Sequence, residues 1–344
     1  MVDQLTKLEK RLASANLPPG LVDKAKEEID RLRLNQRMTS SGSNLQQLYR
    51  WVDWISLLPW ETKSKDILDL AHAKEVLDKH HYGLENIKER VMEYLSVLIL
   101  QEQRGGKITQ APVLCFIGLV GTGKTTIAKA IAEALGRQFI RIPFGGLGDP
   151  LYLRGQSRFH PEAEPGQLIK GLVQAKVKNP VILLDEVDRV ADEALNTIMG
   201  VLVELLDPEQ NDRFNDYFID YPFDLSEAIF VATGNNTRRI ATAVLDRLEV
   251  IQMPSYNDEE KIAIGRMYLL PKAIEAAGLK VGELEISQDC WAQIIRPLGY
   301  DAGVRTLKRT IEGVCRKVAK TIVEGKVQKI LVTPENVKEF LPQW

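Results

Sequence analysis

The chain has 344 residues, with 45 Lys+Arg against 47 Asp+Glu and a formal net charge of −2. A hydrophobic fraction of 44% and a charged fraction of 27% are ordinary for a globular protein, and the length suits two or three domains. The balance of charge excludes a protein built mainly to coat nucleic acid, although it leaves a local basic patch open, and apolar runs such as Val181-Ile-Leu-Leu184 are far too short to span a bilayer.

Two helical segments are predicted over residues 1–37. Leu5, Leu8 and Leu12 stand at i, i+3, i+7, and Leu21, Ala25, Ile29 and Leu32 repeat at helical spacing after Pro18-Pro19-Gly20. Residues 38–44, small and polar, read as a break. Trp51, Trp54 and Trp60 cluster at what reads as a helix end packed into a core, with a partner-binding aromatic patch as the alternative. A further helix is predicted over 85–102, with His80 and His81 near a helix start, and 104–108 reads as a loop. From Pro112 short apolar runs at 113–117, 139–142, 181–184, 228–232 and 249–253 alternate with helical stretches, the pattern of an α/β fold with a parallel sheet covered by helices. After Tyr256 the reading is mainly helical (258–276, 288–297 and 301–324), then a short strand at 329–332 and a helix opened by Thr333-Pro334-Glu335. Three separated cysteines (Cys115, Cys290, Cys315) offer neither a disulfide framework nor a zinc pattern and suit a reducing compartment. The N-terminus, with Asp3, Glu9 and Lys10, lacks the apolar core of a signal peptide, so a cytoplasmic location is expected.

The strongest chemical signal is the run Gly118, Leu119, Val120, Gly121, Thr122, Gly123, Lys124, Thr125, which fits GxxxxGK[ST] and, with Thr126 as a further nucleotide-binding candidate, lies between a predicted strand and a helix predicted over 127–135. Glycines let backbone N–H groups curl around a polyphosphate, and the helix N-terminus adds a favourable field. Lys124 can reach the β- and γ-phosphates of ATP, and Thr125 can hold Mg²⁺. The second signal is Val181-Ile-Leu-Leu-Asp-Glu186, a buried-strand run ending in two carboxylates where open α/β sheets bind ligands. Asp185 would reach Mg²⁺ directly or through water, and Glu186 would orient and deprotonate the attacking water. Asn235, ending Ala232-Thr-Gly-Asn235, is a candidate water-positioning group. Arg247 and Arg305 are candidate cations for charge on the γ-phosphate.

Together these segments resemble the ATPase module of Lon, an AAA+ protease. The resemblance covers nearly the whole chain. It is carried by Ser56-Leu-Leu-Pro-Trp60, His81-Tyr-Gly-Leu84, the phosphate loop, Ala134-Leu-Gly-Arg137 and Leu183-Leu-Asp-Glu-Val-Asp188, and further by Leu205-Leu-Asp-Pro-Glu-Gln-Asn211, Leu245-Asp-Arg-Leu-Glu-Val250 and Ala302-Gly-Val-Arg305. It implies a helical N-terminal segment (1–60), an AAA+ α/β nucleotide-binding domain (61–255) and an α-helical lid (256–344). It implies Asn235 as sensor 1, Arg247 as an arginine finger acting on a neighbouring subunit, Arg305 as sensor 2, and His81 and Tyr82 beside the adenine. It also implies a homo-oligomeric ring, usually a hexamer, that pulls protein substrates through a central pore.

Three departures from the family pattern shape the expectation. The chain stops at Trp344, where a Lon protease domain would begin, so no peptidase activity is expected from it and a separate protease partner remains open. The large substrate-recruiting N-terminal domain of Lon has no counterpart. The pore-loop region reads Arg158-Phe-His-Pro-Glu-Ala-Glu-Pro-Gly-Gln167, which places Phe159 one position early and puts His160 and Pro161 in the aromatic and aliphatic slots. The function expected is a Lon-type ATPase that unfolds or translocates protein. The competing reading is an ATP-regulated, ring-forming assembly or binding module, with nucleic acid among its partners, that threads nothing.

Overall fold

The computed structural model describes residues 2–35, 42–105, 112–296, 301–325 and 327–342. Helix α1 (Val2–Ser14) buries Leu5, Leu8 and Leu12 along one stripe, as their spacing demands. Helix α2 (Pro19–Asn35) opens on proline, whose missing N–H is harmless in a first turn, and buries Leu21, Ala25 and Ile29. Of the expected polar break, residues 38–41 lie outside the described residues. Residues 42–44 already belong to α3 (Gly42–Leu57). The tryptophans pack as core. Trp51 is fully buried and its indole N–H donates to the Ile219 carbonyl at 2.8 Å. Trp60 sits 5.9 Å from the Tyr221 ring and 5.2 Å from the Phe223 ring, while Trp54 is only partly buried.

Helix α4 (Leu70–His80) is absent from the sequence reading. Asp69 caps it by accepting the Ala71 and His72 N–H groups. His80 therefore ends a helix and His81 is its extended C-cap, which corrects the expectation of a helix start at His80–His81. Gly83 and Leu84, both at positive φ, turn the chain into α5 (Glu85–Gln103). Of the loop expected over 104–108, residues 106–108 lie outside the described residues.

The central unit runs β1 (Val113–Ile117), α6 (Lys124–Leu135), β2 (Phe139–Pro143), α7 (Leu151–Arg154), α8 (Gln167–Ala175), β3 (Val181–Asp185), α9 (Leu195–Leu205), β4 (Phe214–Asn215), β5 (Pro222–Phe223), β6 (Ile229–Gly234), α10 (Thr242–Leu245) and β7 (Leu248–Gln252). Five of these strands form a parallel sheet in the order β2-β3-β6-β1-β7, while β4 and β5 form a small antiparallel pair. Strand side chains alternate between faces, and the core divides accordingly. Cys115, Ile182 and Leu184 pack with α8, α9 and the N-terminal helices, in one cluster that also holds Leu5, Trp51 and Trp60. Leu114, Phe116 and Leu183 face the opposite way, onto α4, α5 and α6. Burial on both faces explains why the three inner strands β1, β3 and β6 read as unbroken apolar runs.

The C-terminal unit has its own core around Trp291, Ile294, Leu307, Ile311 and Val314. Asn257 and Glu260 cap α11 (Asp258–Ile264) reciprocally, and the helix passes through a π-turn at Gly265–Leu269 into α12 (Leu270–Ala276). Next come β8 (Leu284–Ile286), α13 (Trp291–Ile295), α14 (Arg305–Val323), β9 (Ile330–Val332) and α15 (Val337–Phe340). Helix α14 starts four residues later than the pattern suggests, because Asp301 uses its carboxylate to accept from Gly303 and Thr306 N–H groups in the preceding turn. Strand β8, absent from the sequence reading, pairs in parallel with β9. The three cysteines are buried and free, and no helix among the described residues is long and apolar enough to cross a membrane.

Candidate active site

The C-terminal ends of β1, β3 and β6 meet the N-terminus of α6 at a cavity of about 640 Å3, lined also by α12 and the start of α14. The phosphate loop joins β1 to α6. No side chain caps α6: its N-cap is Gly123, so the first turn presents backbone N–H groups toward the cavity. Gly121, at φ +84°, approaches the C-terminal unit so closely that a Cβ there would lie 3.1 Å from Arg305. Its carbonyl accepts the Val304 N–H at 3.0 Å, which ties the loop to the start of α14.

Lys124 is buried among the groups it serves. Its ammonium donates to the Gly118 carbonyl (2.6 Å), the Leu119 carbonyl (3.0 Å) and Asn235 Oδ1 (3.2 Å). Burial lowers its affinity for a proton, and Asp188, Glu186 and Asp185 oppose that shift. An ammonium held by two carbonyls and an amide oxygen is poised to turn toward an incoming anion.

Asp185 closes β3, and both its oxygens are engaged. Oδ1 accepts the Thr233 hydroxyl at 2.5 Å and lies 3.4 Å from the Thr125 hydroxyl. Oδ2 accepts Arg141 Nε at 2.7 Å and pairs with its Nη2 at 2.6 Å. A carboxylate beside a hydroxyl is the hard-oxygen donor set that Mg²⁺ prefers, so the residues present fit that ion. Glu186 follows at φ 60°, a costly conformation for a residue with a side chain. Its N–H donates to Thr233 Oγ1 at 3.0 Å, and Arg189 stands 3.7 Å from its carboxylate. Asn235 keeps its place because its N–H donates to Asp188 Oδ2 at 3.0 Å.

His81, Tyr82, Gly121, Gly123, Lys124, Thr125, Thr126, Asp185, Glu186, Asn235 and Arg305 all line the cavity. His81 is buried and its Nε2 has no partner; desolvation pulls its pKa down to about 4, opposed by the Thr126 backbone. The imidazole is therefore neutral at physiological pH. Arg247 does not line this cavity. Its Nη2 donates to Asp207 Oδ2 and its Nη1 to the Ala243 carbonyl, both at 2.7 Å. Phe159 and His160 do not line the cavity; they stand on the segment between α7 and α8, and Phe159 is 68% exposed.

Sequence reasoning missed four side chains here. Arg141 and Thr233 hold the Asp185 carboxylate, Asp188 holds Asn235, and Tyr256 donates its hydroxyl to the Thr122 carbonyl at 3.1 Å. Thr233 and Asp188 stand inside motifs that the sequence already singles out. Arg141 had a signal too: a charge between Ile140 and Ile142 in an otherwise apolar strand.

Residues 114–256 match the family described as ATPase family associated with various cellular activities (AAA), and residues 275–330 match the Lon protease AAA+ ATPase lid domain. The chain is 40% identical over 340 residues to Lon protease 2 of Herpetosiphon aurantiacus, covering 99% of this chain and 41% of that protein. It is 42% identical over 331 residues to the Lon protease of Lawsonia intracellularis, covering 96% and 39%, and 40% identical over 338 residues to that of Bacillus thuringiensis, covering 98% and 42%. The chain thus spans about two fifths of the length of these relatives. With an AAA domain, a Lon-type lid and this similarity along nearly its whole length, the chain belongs to the Lon-type AAA+ ATPases, of which it represents the ATPase module.

Proposed function

We propose that this chain hydrolyses ATP in the cavity between sheet and lid, and that the hydrolysis drives movement of a polypeptide. The observation that carries the reading is the meeting of Lys124, Thr125, Asp185, Glu186 and Asn235 at one end of the sheet, with Arg305 entering the same cavity from the lid. The phosphate loop (Gly118 to Thr126) would hold the polyphosphate through backbone N–H groups. Thr125 and Asp185 would hold Mg²⁺, which when bound supplies positive charge against the phosphates. Glu186 is the base that takes a proton from the attacking water. Asn235 positions that water, and Arg305 couples the lid to the nucleotide. His81 and Tyr82 flank the adenine.

Arg247, outside its own cavity, serves the next subunit of a ring, usually of six. The site is then complete only in the assembly. In this reading residues 1–60 form the N-terminal helical segment, 61–255 the nucleotide-binding domain and 256–344 the lid. The substrates are proteins, gripped at Phe159, and no peptide bond is cut by this chain; a cytoplasmic location and a separate protease partner fit the same reading. The replaced slots at His160 and Pro161 favour the second reading, an assembly module that does not thread, because Pro161 fixes its φ and removes an N–H from the loop.

The test is hydrolysis measured against protein concentration. Turnover per chain should require Mg²⁺ and rise as rings form, followed by light scattering, and Lys124→Ala should weaken nucleotide binding. Full turnover by a dilute monomer contradicts the trans role of Arg247. A ring that hydrolyses ATP but neither unfolds a tagged reporter nor responds to unfolded polypeptide establishes the assembly module instead.

A further inference from the structure

The string Leu205-Leu-Asp-Pro-Glu-Gln-Asn211 has no part in the nucleotide cavity, yet it forms a turn with a single focus. As α9 ends, the Asp207 carbonyl accepts the Gln210 and Asn211 N–H groups at 3.1 and 2.9 Å. Its carboxylate is held from the same turn, Oδ1 by the Glu209 N–H and Oδ2 by Gln210 Nε2, both at 2.9 Å. Pro208 fixes the backbone at the turn's second position. The outward result is one oriented carboxylate, and its remaining partner is Arg247, 2.7 Å away. The guanidinium is pinned from a second side by the Ala243 carbonyl, and the Arg247 backbone is fixed where its carbonyl accepts the Val113 N–H at 3.2 Å.

We infer that Asp207, mounted in the Asp-Pro-Glu-Gln-Asn turn, is a positioning residue that orients the Arg247 guanidinium for the neighbouring subunit's active site. The inference rests on the trans role proposed for Arg247. A guanidinium carries five N–H donors in a rigid fork. The contacts to Asp207 and Ala243 engage one N–H on each terminal nitrogen and leave donors free for a phosphate. A long side chain on a surface facing a partner would otherwise sample many rotamers; held between two fixed acceptors it meets the partner in one. Arg247 in turn holds the Asp207 carboxyl below its usual range, so the pair is charged at neutral pH.

The position of the pair, away from its own cavity, permits a test that separates orientation of the finger from simple structural support. Misplacing a positioned group by ~1 Å costs on the order of 10²-fold in rate. Asp207→Ala should therefore lower kcat of the assembled ring by up to about 10²-fold with KM for ATP nearly unchanged, and Asp207→Glu should restore part of the loss. Adding Asp207→Ala to Arg247→Ala should cost nothing further. Glu186→Gln protein has an intact finger and an inactive cavity, so mixed rings should rescue Arg247→Ala protein and, by the same route, Asp207→Ala protein. If Glu186→Gln rescues neither variant, the trans role of Arg247 fails. If it rescues Arg247→Ala but not Asp207→Ala, or if Asp207→Ala turns over at the parent rate, Asp207 is not the finger's positioning residue. Asp207→Asn, which keeps the turn's shape, serves in the same mixture should the alanine variant melt early.

Discussion

The nucleotide cavity and the Phe159 segment are held by different means and obey different rules. In the cavity, buried charge is organised by regular elements: Lys124 opens a helix, Asp185 closes a strand, and Thr233 bridges to Asp185 from the adjacent strand. The Phe159 segment is organised from its ends. At its neck Gly155, at φ +72°, packs so tightly that a Cβ would lie 2.9 Å from the Asp216 carboxylate, which accepts N–H groups from Gly166, Phe218 and Ile219. Near its tip Arg158 is buried between the Trp51 ring (4.5 Å) and the Phe159 ring (5.1 Å), with a 2.8 Å bond to Glu28. Gln47 Nε2 also approaches the Phe159 carbonyl, at 3.5 Å. The phosphate loop meets every fixed position of GxxxxGK[ST], whereas the other segment departs from the pore-loop pattern of the family it resembles. Phosphoryl transfer needs atoms within fractions of an ångström. In the proposed reading a grip on extended polypeptide needs only an exposed apolar ring on a firm base, and the contacts of Arg158 with Trp51 and Glu28 would supply that base.

The sharpest break between the two regions is Glu186→Gln. Gln keeps the shape and loses the base, so hydrolysis should fall by on the order of 10²–10⁴-fold while a fluorescent nucleotide still binds; hydrolysis at the parent rate removes Glu186 from its role. Phe159→Ala should leave basal hydrolysis intact and abolish stimulation by unfolded polypeptide, with His160→Ala mild. If the two variants exchange places in that assay, the grip did not move to Phe159.

Stability separates Phe159 from its support. Arg158→Ala removes a buried, charge-assisted hydrogen bond and two ring contacts and should cost about 1.5–3 kcal/mol in denaturant unfolding. Phe159→Ala, at an exposed ring, should stay within about 0.5 kcal/mol. Equal losses would mean that Phe159 is core.

The smallest effect is a pair of opposite pH slopes. Burial raises Asp216 to about 6, so the native state holds more protons than the unfolded chain as pH falls from about 6 to the usual carboxylate range near 3.8. Acidification over that window favours the fold at the loop's neck. Burial lowers His81 to about 4, so the unfolded chain holds more protons between about 6.5 and 4, and acidification there disfavours the fold at the cavity. Melting temperatures of Asp216→Asn and His81→Phe, each set against the parent across this range, should diverge with opposite sign. Parallel curves would contradict both assignments.

Sequence alone determined the strands of the five-stranded sheet, the phosphate loop and the carboxylate pair, because each is a local pattern with a local physical cause. A strand buried on both faces must be apolar throughout, a loop around phosphate needs glycine and an N-terminus, and a strand end is where a carboxylate meets ligand. It missed α4, whose start depends on the Asp69 cap more than on a strong stripe, and β8, three residues long and paired only with a strand 46 residues later. Only the tertiary structure decided which groups hold the site. Arg141 reaches Asp185 from a neighbouring strand, Asp207 reaches Arg247 across 40 residues, and Arg158 reaches Glu28 across 130. Such pairings are set by sheet order and by the packing of the N-terminal helices on one face of the sheet, and no spacing along the chain encodes them.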